Sequence, residues 1–216
     1  MRPGQLFSLL LPLAAVACGG SKYAYNGQNL YDFFPLEDNR SWEYGQDDTS
    51  VAYRMSVTKN PVTTDEAGTE VVTLDYMSQD PEALLYSVQW SSDSSDGVLI
   101  WGWTDGATGE AHEFRPPIVF AEAQMDVDQK VKTTTNGTTY TATFKGLESC
   151  ANHWVRDDWE CAHIILDDGD GDPNIGDPFV GEYWTAVDWG PSSFVPTGFT
   201  QPWVLLRADW SPDEEE

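Results

Sequence analysis

The stretch DDGDGDPNIGD, Asp167 to Asp177, carries the spacing most suggestive of chemistry. Asp168, Asp170 and Asp172 alternate, and Asp177 follows as a further carboxylate. Calcium takes roughly six to eight oxygen ligands, and alternate carboxylates of a glycine-punctuated loop can converge on one ion. The loop departs from the regular calcium loop at two places. Pro173 occupies the sixth position, where a sharp turn needs glycine and proline holds φ near about -65°, and Phe179 stands where a bidentate Glu is expected. Calcium is thus the cofactor the loop could take, in the weak range of about 10⁻⁴ to 10⁻³ M. The competing reading is a solvated acidic hairpin loop between Leu166 and Tyr183, kept open by repulsion.

The chain has three cysteines, Cys18, Cys150 and Cys161, and three histidines, His112, His153 and His163. Cys150 and Cys161 form one candidate disulfide in an oxidising compartment. Cys150, His153, Cys161 and His163 also have the ligand types of a tetrahedral zinc site, which is the rival arrangement. No G-x-S-x-G, H-E-x-x-H or phosphate loop is present. Acid pairs such as Asp157 and Asp158 arise from composition alone in a chain with 36 acids, and solvated carboxylates are their default. The sequence therefore points away from an enzyme.

Cys18 has a different setting. Arg2 is followed by the short apolar stretch Leu6 to Val16, and small residues, Ala15 and Ala17, precede the cysteine. That is the order of a secretory signal peptide, and the stretch is too short for a bilayer span of about 20 residues. Ala15-Val16-Ala17-Cys18 resembles the bacterial lipobox, whose cysteine is acylated and begins the mature chain; leucine is more usual at the place of Ala15. The alternative is an ordinary signal peptide with Cys18 left as a thiol. The lipobox reading implies a lipid anchor such as palmitate on Cys18 and attachment to a membrane. Gly19, where some envelopes use an aspartate for inner-membrane retention, then implies the cell outer membrane. The organisation expected is a signal peptide over 1–17, an anchor and tether over 18–30, a single β domain over 31–210 and an acidic tail over 211–216.

The formal net charge is -25, with 11 Lys plus Arg against 36 acids. So acidic a surface repels nucleic-acid phosphates and anionic headgroups, which argues against nucleic-acid partners. Aromatics make up 13% of residues, including 10 Trp. That apolar area must be buried or used at a binding surface, which separates the chain from disordered acidic sequences.

The dominant periodicity is two. Val51 to Thr58, Val72 to Tyr76 and Leu84 to Trp90 each place large apolar side chains on one face. Ser91 to Gly97 is a polar turn, and Val98 to Trp103 is a strand apolar on both faces. Asn136-Gly137, between Lys130–Thr135 and Thr138–Phe144, predicts a type I′ hairpin. Glu160 to Leu166, Glu182 to Trp189 and Trp203 to Trp210 supply three more strands. Short helical turns compete only at Glu82 to Tyr86 and Phe120 to Val127. The expected fold is all-β: an antiparallel sandwich or an open, strongly twisted half-barrel.

Three stretches carry a resemblance. YDFFPLEDNRSWEY, Tyr31 to Tyr44, is similar to the YFPL..GN.W.Y opening of a broad group of bacterial envelope lipoproteins. WECAHIIL, Trp159 to Leu166, resembles that group's cysteine-bearing strand. GEYWTAVDWGPSSF, Gly181 to Phe194, resembles its tryptophan strand and glycine turn. Asp38 stands where the group usually has glycine. The resemblance implies an all-β, membrane-anchored envelope protein with a shape like the half-barrels of lipoprotein carriers, and it implies no catalytic residues to carry over. Phe33, Phe34, Leu36, Trp42 and Tyr44 are expected to plug one end of the sheet.

The function expected is a non-catalytic interaction or structural role in the envelope. The alternative is a carrier or binding module for an apolar molecule or a glycan. Trp90, Trp101 and Trp103 discriminate: an apolar cavity between them favours a carrier, an exposed row favours glycan stacking, and solid packing favours the first role.

Overall fold

The computed structural model describes residues 29–36, 40–46, 54–59, 63–64, 68–79, 81–150, 159–170 and 176–208. Cys18, Asp38, Asn39, Val51 to Tyr53, His153, Asp157, Asp158 and Asp172 lie outside the described residues. A 3-10 helix, Leu30–Phe33, is followed by thirteen strands. They are β1 Ser41–Gly45, β2 Arg54–Lys59, β3 Thr63–Thr64, β4 Glu70–Gln79, β5 Glu82–Asp93, β6 Gly97–Asp105 and β7 Ala111–Ala121. After these come β8 Lys130–Thr135, β9 Thr138–Ser149, β10 Glu160–Asp167, β11 Gly181–Ala186, β12 Gly190–Pro196 and β13 Trp203–Ala208.

The alternating segments of the sequence become strands because each can bury one face. In β4, Val72, Leu74 and Tyr76 are buried, and in β5 so are Tyr86, Val88 and Trp90. The Asn-Gly hairpin forms as expected, with Asn136 at φ 50° and Gly137 at φ 85°, joining β8 to β9 in register. Where short helical turns could compete, none forms: Glu82 to Tyr86 lies within β5, and Phe120 lies in β7, which ends at Ala121. A single helical turn has an unfavourable nucleus, whereas strand pairing there buries Tyr86 against Tyr76 at 4.5 Å. The polar turn is also shorter than expected, since β5 continues through Asp93.

All pairings in the sheet are antiparallel, in the order β7-β6-β5-β4-β2-β1-β13-β12-β11-β10-β9-β8, with β3 beside β4. The path is thinnest between β12 and β13, where Ser193 faces Val204 and Phe194 faces Trp203. The sheet therefore curls into two leaves with their apolar faces together, an all-β fold not closed into a barrel. Rings cross the interior between the leaves: Phe120 meets Tyr183 at 5.1 Å, Tyr44 meets Phe194 at 5.0 Å, and Phe114 meets Tyr140 at 5.7 Å. At the open seam, β7 backbone amides bond to β8 side chains. The Arg115 and Val119 amides donate to Thr135 Oγ1 (3.0 Å) and Thr133 Oγ1 (3.1 Å).

One end of the interior is plugged by the segment that enters β1. Phe33, Phe34, Trp42 and Tyr44 are each at most 2% exposed, and Phe34 packs on Trp90 at 4.6 Å. The polar tips of this segment seize the turn between β11 and β12. Trp42 Nε1 donates to Trp189 O at 2.7 Å, Tyr44 Oη to Pro191 O at 2.7 Å, and Arg40 to Asp188 O. The turn needs this support, since Asp188 and Gly190 take φ of 63° and 79°. Burial, followed by mutual charge, holds the phenols of Tyr44 and Tyr86 well above their ordinary range. Both are neutral inside the core, and Tyr44 is a donor there.

Tyr44→Phe keeps the ring and removes the donor to a buried carbonyl, so it is expected to lower the unfolding free energy by about 1–3 kcal/mol. Urea unfolding checks this: the midpoint should fall with an unchanged slope. An unchanged midpoint would show that the hydroxyl contributes nothing.

Candidate functional site

Cys150 and Cys161 are joined by a disulfide, with Cα atoms 5.2 Å apart and an 11-residue separation. Both are fully buried, and Cys161 Sγ lies 3.1 Å from Ser192 Oγ. The crosslink ties the end of β9 to the start of β10, and the Cys150 amide donates to Trp159 O at 3.0 Å. The rival zinc arrangement has no thiolate to offer, since the two sulfurs are bonded to each other. His163, its third described member, is turned to carboxylates. Its Nε2 lies 2.7 Å from Glu182 Oε1 and its Nδ1 3.4 Å from Glu148 Oε1, while its ring stacks on Trp184 at 4.6 Å. His112 stacks on Trp103 at 4.5 Å.

The acidic loop is brought together in part. Asp168 and Asp170 lie over Gly176, where a side chain would strike the Asp168 carboxylate. Asp177 is directed elsewhere and accepts from the Tyr140 hydroxyl. Among the described residues, no group of three or more His, Cys, Asp and Glu side chains is arranged to hold a metal ion. Burial raises the Asp168 pKa above the ordinary carboxylate value, and the Asp170 and Asp167 charges add to it, against the Asp170 amide that donates to it. Asp168 is thus ionised at some cost to the fold.

The three tryptophans separate. Trp90 is fully buried in the core, Trp103 packs against its edge, and Trp101 belongs to neither set. Leu99 and Trp101 alternate with the core residues Val98 and Ile100, and together with Val71 they lie outside the core cluster. Val71 and Leu99 are themselves buried, at 6% and 8% exposure, and Trp101 is half-buried beside Val71. The register explains the recess at Trp101. Ile100 pairs with Ile118 and Gly102 with Glu113, so Trp101 alone faces the four residues Phe114 to Pro117 of β7. Pro116 and Pro117 have no N–H for a ladder, and the strand bulges.

Two depressions are lined by residues of the bulged stretch, Phe114 and Arg115 in one and Pro116 and Pro117 in the other. A recess of about 140 Å³ surrounds Trp101, with Thr63, Val71, Gln89, Glu113 and Arg115 at its rim. The indole is fixed in place because Nε1 donates to Ser91 Oγ at 2.8 Å. Glu113 and Arg115 approach to 3.5 Å across the rim. The second, a groove of about 650 Å³, is lined by Leu99, Pro116, Pro117, Val119, Asp96 and Glu122 among others. Sequence reasoning found Trp101 but not Gln89, Glu113, Arg115 or the prolines. The available signal was a strand, Val98 to Trp103, apolar on both faces of a sheet with one core.

Comparison with protein-family models, with curated proteins and with solved structures finds no match to this chain.

A pH test follows from Asp168. Its folded pKa is raised, so its contribution to stability is fully present below the unfolded value of about 3.8 and is lost as pH rises through the folded value. Asp168→Asn retains an acceptor oxygen without the charge. It should raise the melting temperature by about 1–2 °C at neutral pH, and the gain should vanish toward pH 3. A lower melting temperature at neutral pH would show that the carboxylate is stabilising.

Proposed function

We propose that this protein is a membrane-anchored envelope lipoprotein with a non-catalytic interaction role, and that it meets its partner through the outer face of β5, β6 and β7. The observation that carries this reading is the division of labour among the aromatic rings. Large rings fill the space between the leaves, while one tryptophan is held on the outside in a depression that two prolines open. A half-buried tryptophan that stands outside the core cluster is informative in a way that a core ring is not. The carrier alternative is less well supported, because the described interior is occupied by rings in contact, such as Phe34 on Trp90 at 4.6 Å.

Support for the anchor comes from the sequence. The apolar stretch before Cys18 and the lipobox-like Ala15-Val16-Ala17-Cys18 suit acylation. The similarity of Tyr31 to Tyr44, Trp159 to Leu166 and Gly181 to Phe194 to envelope lipoproteins points the same way. The first and third of these stretches dock on one another, Trp42 on Trp189 and Tyr44 on Pro191.

Lipid chains hold a protein at a membrane by roughly 0.8 kcal/mol per buried methylene, so losing them is decisive for attachment. Cys18→Ala is expected to abolish incorporation of labelled palmitate and to move the protein out of the membrane fraction or leave its precursor uncleaved. Membrane recovery of Cys18→Ala with the same N-terminus as the parent would overturn the lipoprotein reading.

A further inference from the structure

We infer that the Trp101 recess and the adjoining groove form a binding site for an uncharged β-linked polysaccharide, one sugar ring seated on the indole and the next along Pro116 and Pro117. This deepens the outer-face reading and rests on it. A pyranose with equatorial hydroxyls has two different surfaces: flat C–H faces and a polar rim. The recess has the complementary arrangement. Its lining includes the half-buried indole of Trp101, held by the Ser91 bond, an apolar surface with little rotamer freedom to lose. Its rim carries Gln89, Glu113 and Arg115, planar amide, carboxylate and guanidinium groups that can each engage two neighbouring hydroxyls.

The continuation beyond Trp101 points to a polymer. Leu99 lies two residues before Trp101 on β6, and Pro116 follows Arg115 on β7, so groove and recess share the same two strands. The groove lining carries Asp96 and Glu122 with no Lys or Arg, and the Arg115 of the recess is paired with Glu113 at 3.5 Å, which together disfavour uronic or phosphorylated sugars. They suit neutral or N-acetylated ones.

An extended peptide is the rival occupant, and the backbone argues against it. Peptides that dock on a sheet gain affinity from main-chain bonds to a free strand edge. Here β6 is paired on both sides. In β7, residues 116 and 117 are prolines, and the Arg115 and Val119 amides already donate to Thr135 and Thr133.

The test titrates the full chain, in detergent micelles, with chitohexaose and with cellohexaose while tryptophan fluorescence and saturation-transfer NMR are recorded. Saturable binding of at least one is expected, with saturation transfer to the sugar C–H protons. Trp101→Ala should weaken it at least about tenfold. Glu113→Gln, at an exposed side chain, should weaken it several-fold without changing the melting temperature, which keeps the result readable if Trp101→Ala is destabilised. Three outcomes overturn the proposal: no saturable binding of either sugar, binding that both variants retain, or Trp101-dependent binding of an oligolysine peptide in place of sugar. The titration does not depend on lipid at Cys18, so failure of sugar binding and failure of membrane anchoring are separate results.

Discussion

Everything else in the fold depends on how the turn between β11 and β12 is held. That turn leaves the carbonyls of Asp188, Trp189 and Pro191 at the end of an aromatic core, where a carbonyl without a donor costs about 1–3 kcal/mol. Each accepts a bond from a side chain 147 or 148 residues earlier in the chain: Arg40, Trp42 and Tyr44. The consequence reaches beyond three hydrogen bonds. The strand that carries Trp42 and Tyr44 sits between β2 and β13, and it is the link through which the leaf ending in β7 joins the leaf ending in β8. Without it the hydrogen-bonded path separates into two sheets. The first strand therefore cannot be placed until the last strands exist, and such non-local closure is slow to form because loop entropy is lost before contacts compensate.

The same plug sets the character of the interior. Phe34, Trp42 and Tyr44 bring rings to a space already lined by Trp90, Tyr76 and Phe194, and contacts of 4.6–6.2 Å link them across the two leaves. Buried phenols must donate to something. Tyr44 does so to Pro191 and Tyr183 to Phe179 at 2.6 Å, which locks their ring orientations as well as satisfying the carbonyls. A core specified by bonded tyrosines is poorly suited to rearranging around a guest.

How much of this could be read in the sequence varied with the physical signal. Strands with one buried face were legible through period two, as in Val72 to Tyr76, and so was the Asn136-Gly137 hairpin, whose two positive φ values suit few other residue pairs. The cysteine pair followed from arithmetic and compartment. β12 was not legible: Gly190 to Pro196 reads as a turn, yet Ser192 and Ser193 are fully buried. Ser192 manages this because its hydroxyl donates to Trp184 O at 2.9 Å, a partner that only the folded sheet supplies. The faces of Trp101 and Trp103 were not legible either. Residues two apart should share a face, but the register breaks between Ile100 and Gly102, so the parity of the strand is lost there. The plug was foreseen from its ring content, whereas the turn it grips was not, because carbonyl acceptors have no signature in side-chain type.

β7 was hidden for the reason that makes it interesting. Pro116-Pro117 reads as a break in any strand, and in a central strand it would be one. Here β7 is the end of the hydrogen-bonded path, the position where a sheet edge is open to pairing with another chain and where natural sheets place prolines. On one side the prolines deny the edge its donors, and the Thr133 and Thr135 hydroxyls occupy the amides that remain. On the other side the missing donors break the ladder to β6, and the slack appears as a bulge opposite Trp101. Protection of the edge and opening of the recess are thus two faces of one substitution pattern. A β7 with an unbroken ladder would lay its backbone along β6 and close the space beside the indole, so the outer platform exists only because the strand that borders it is imperfect.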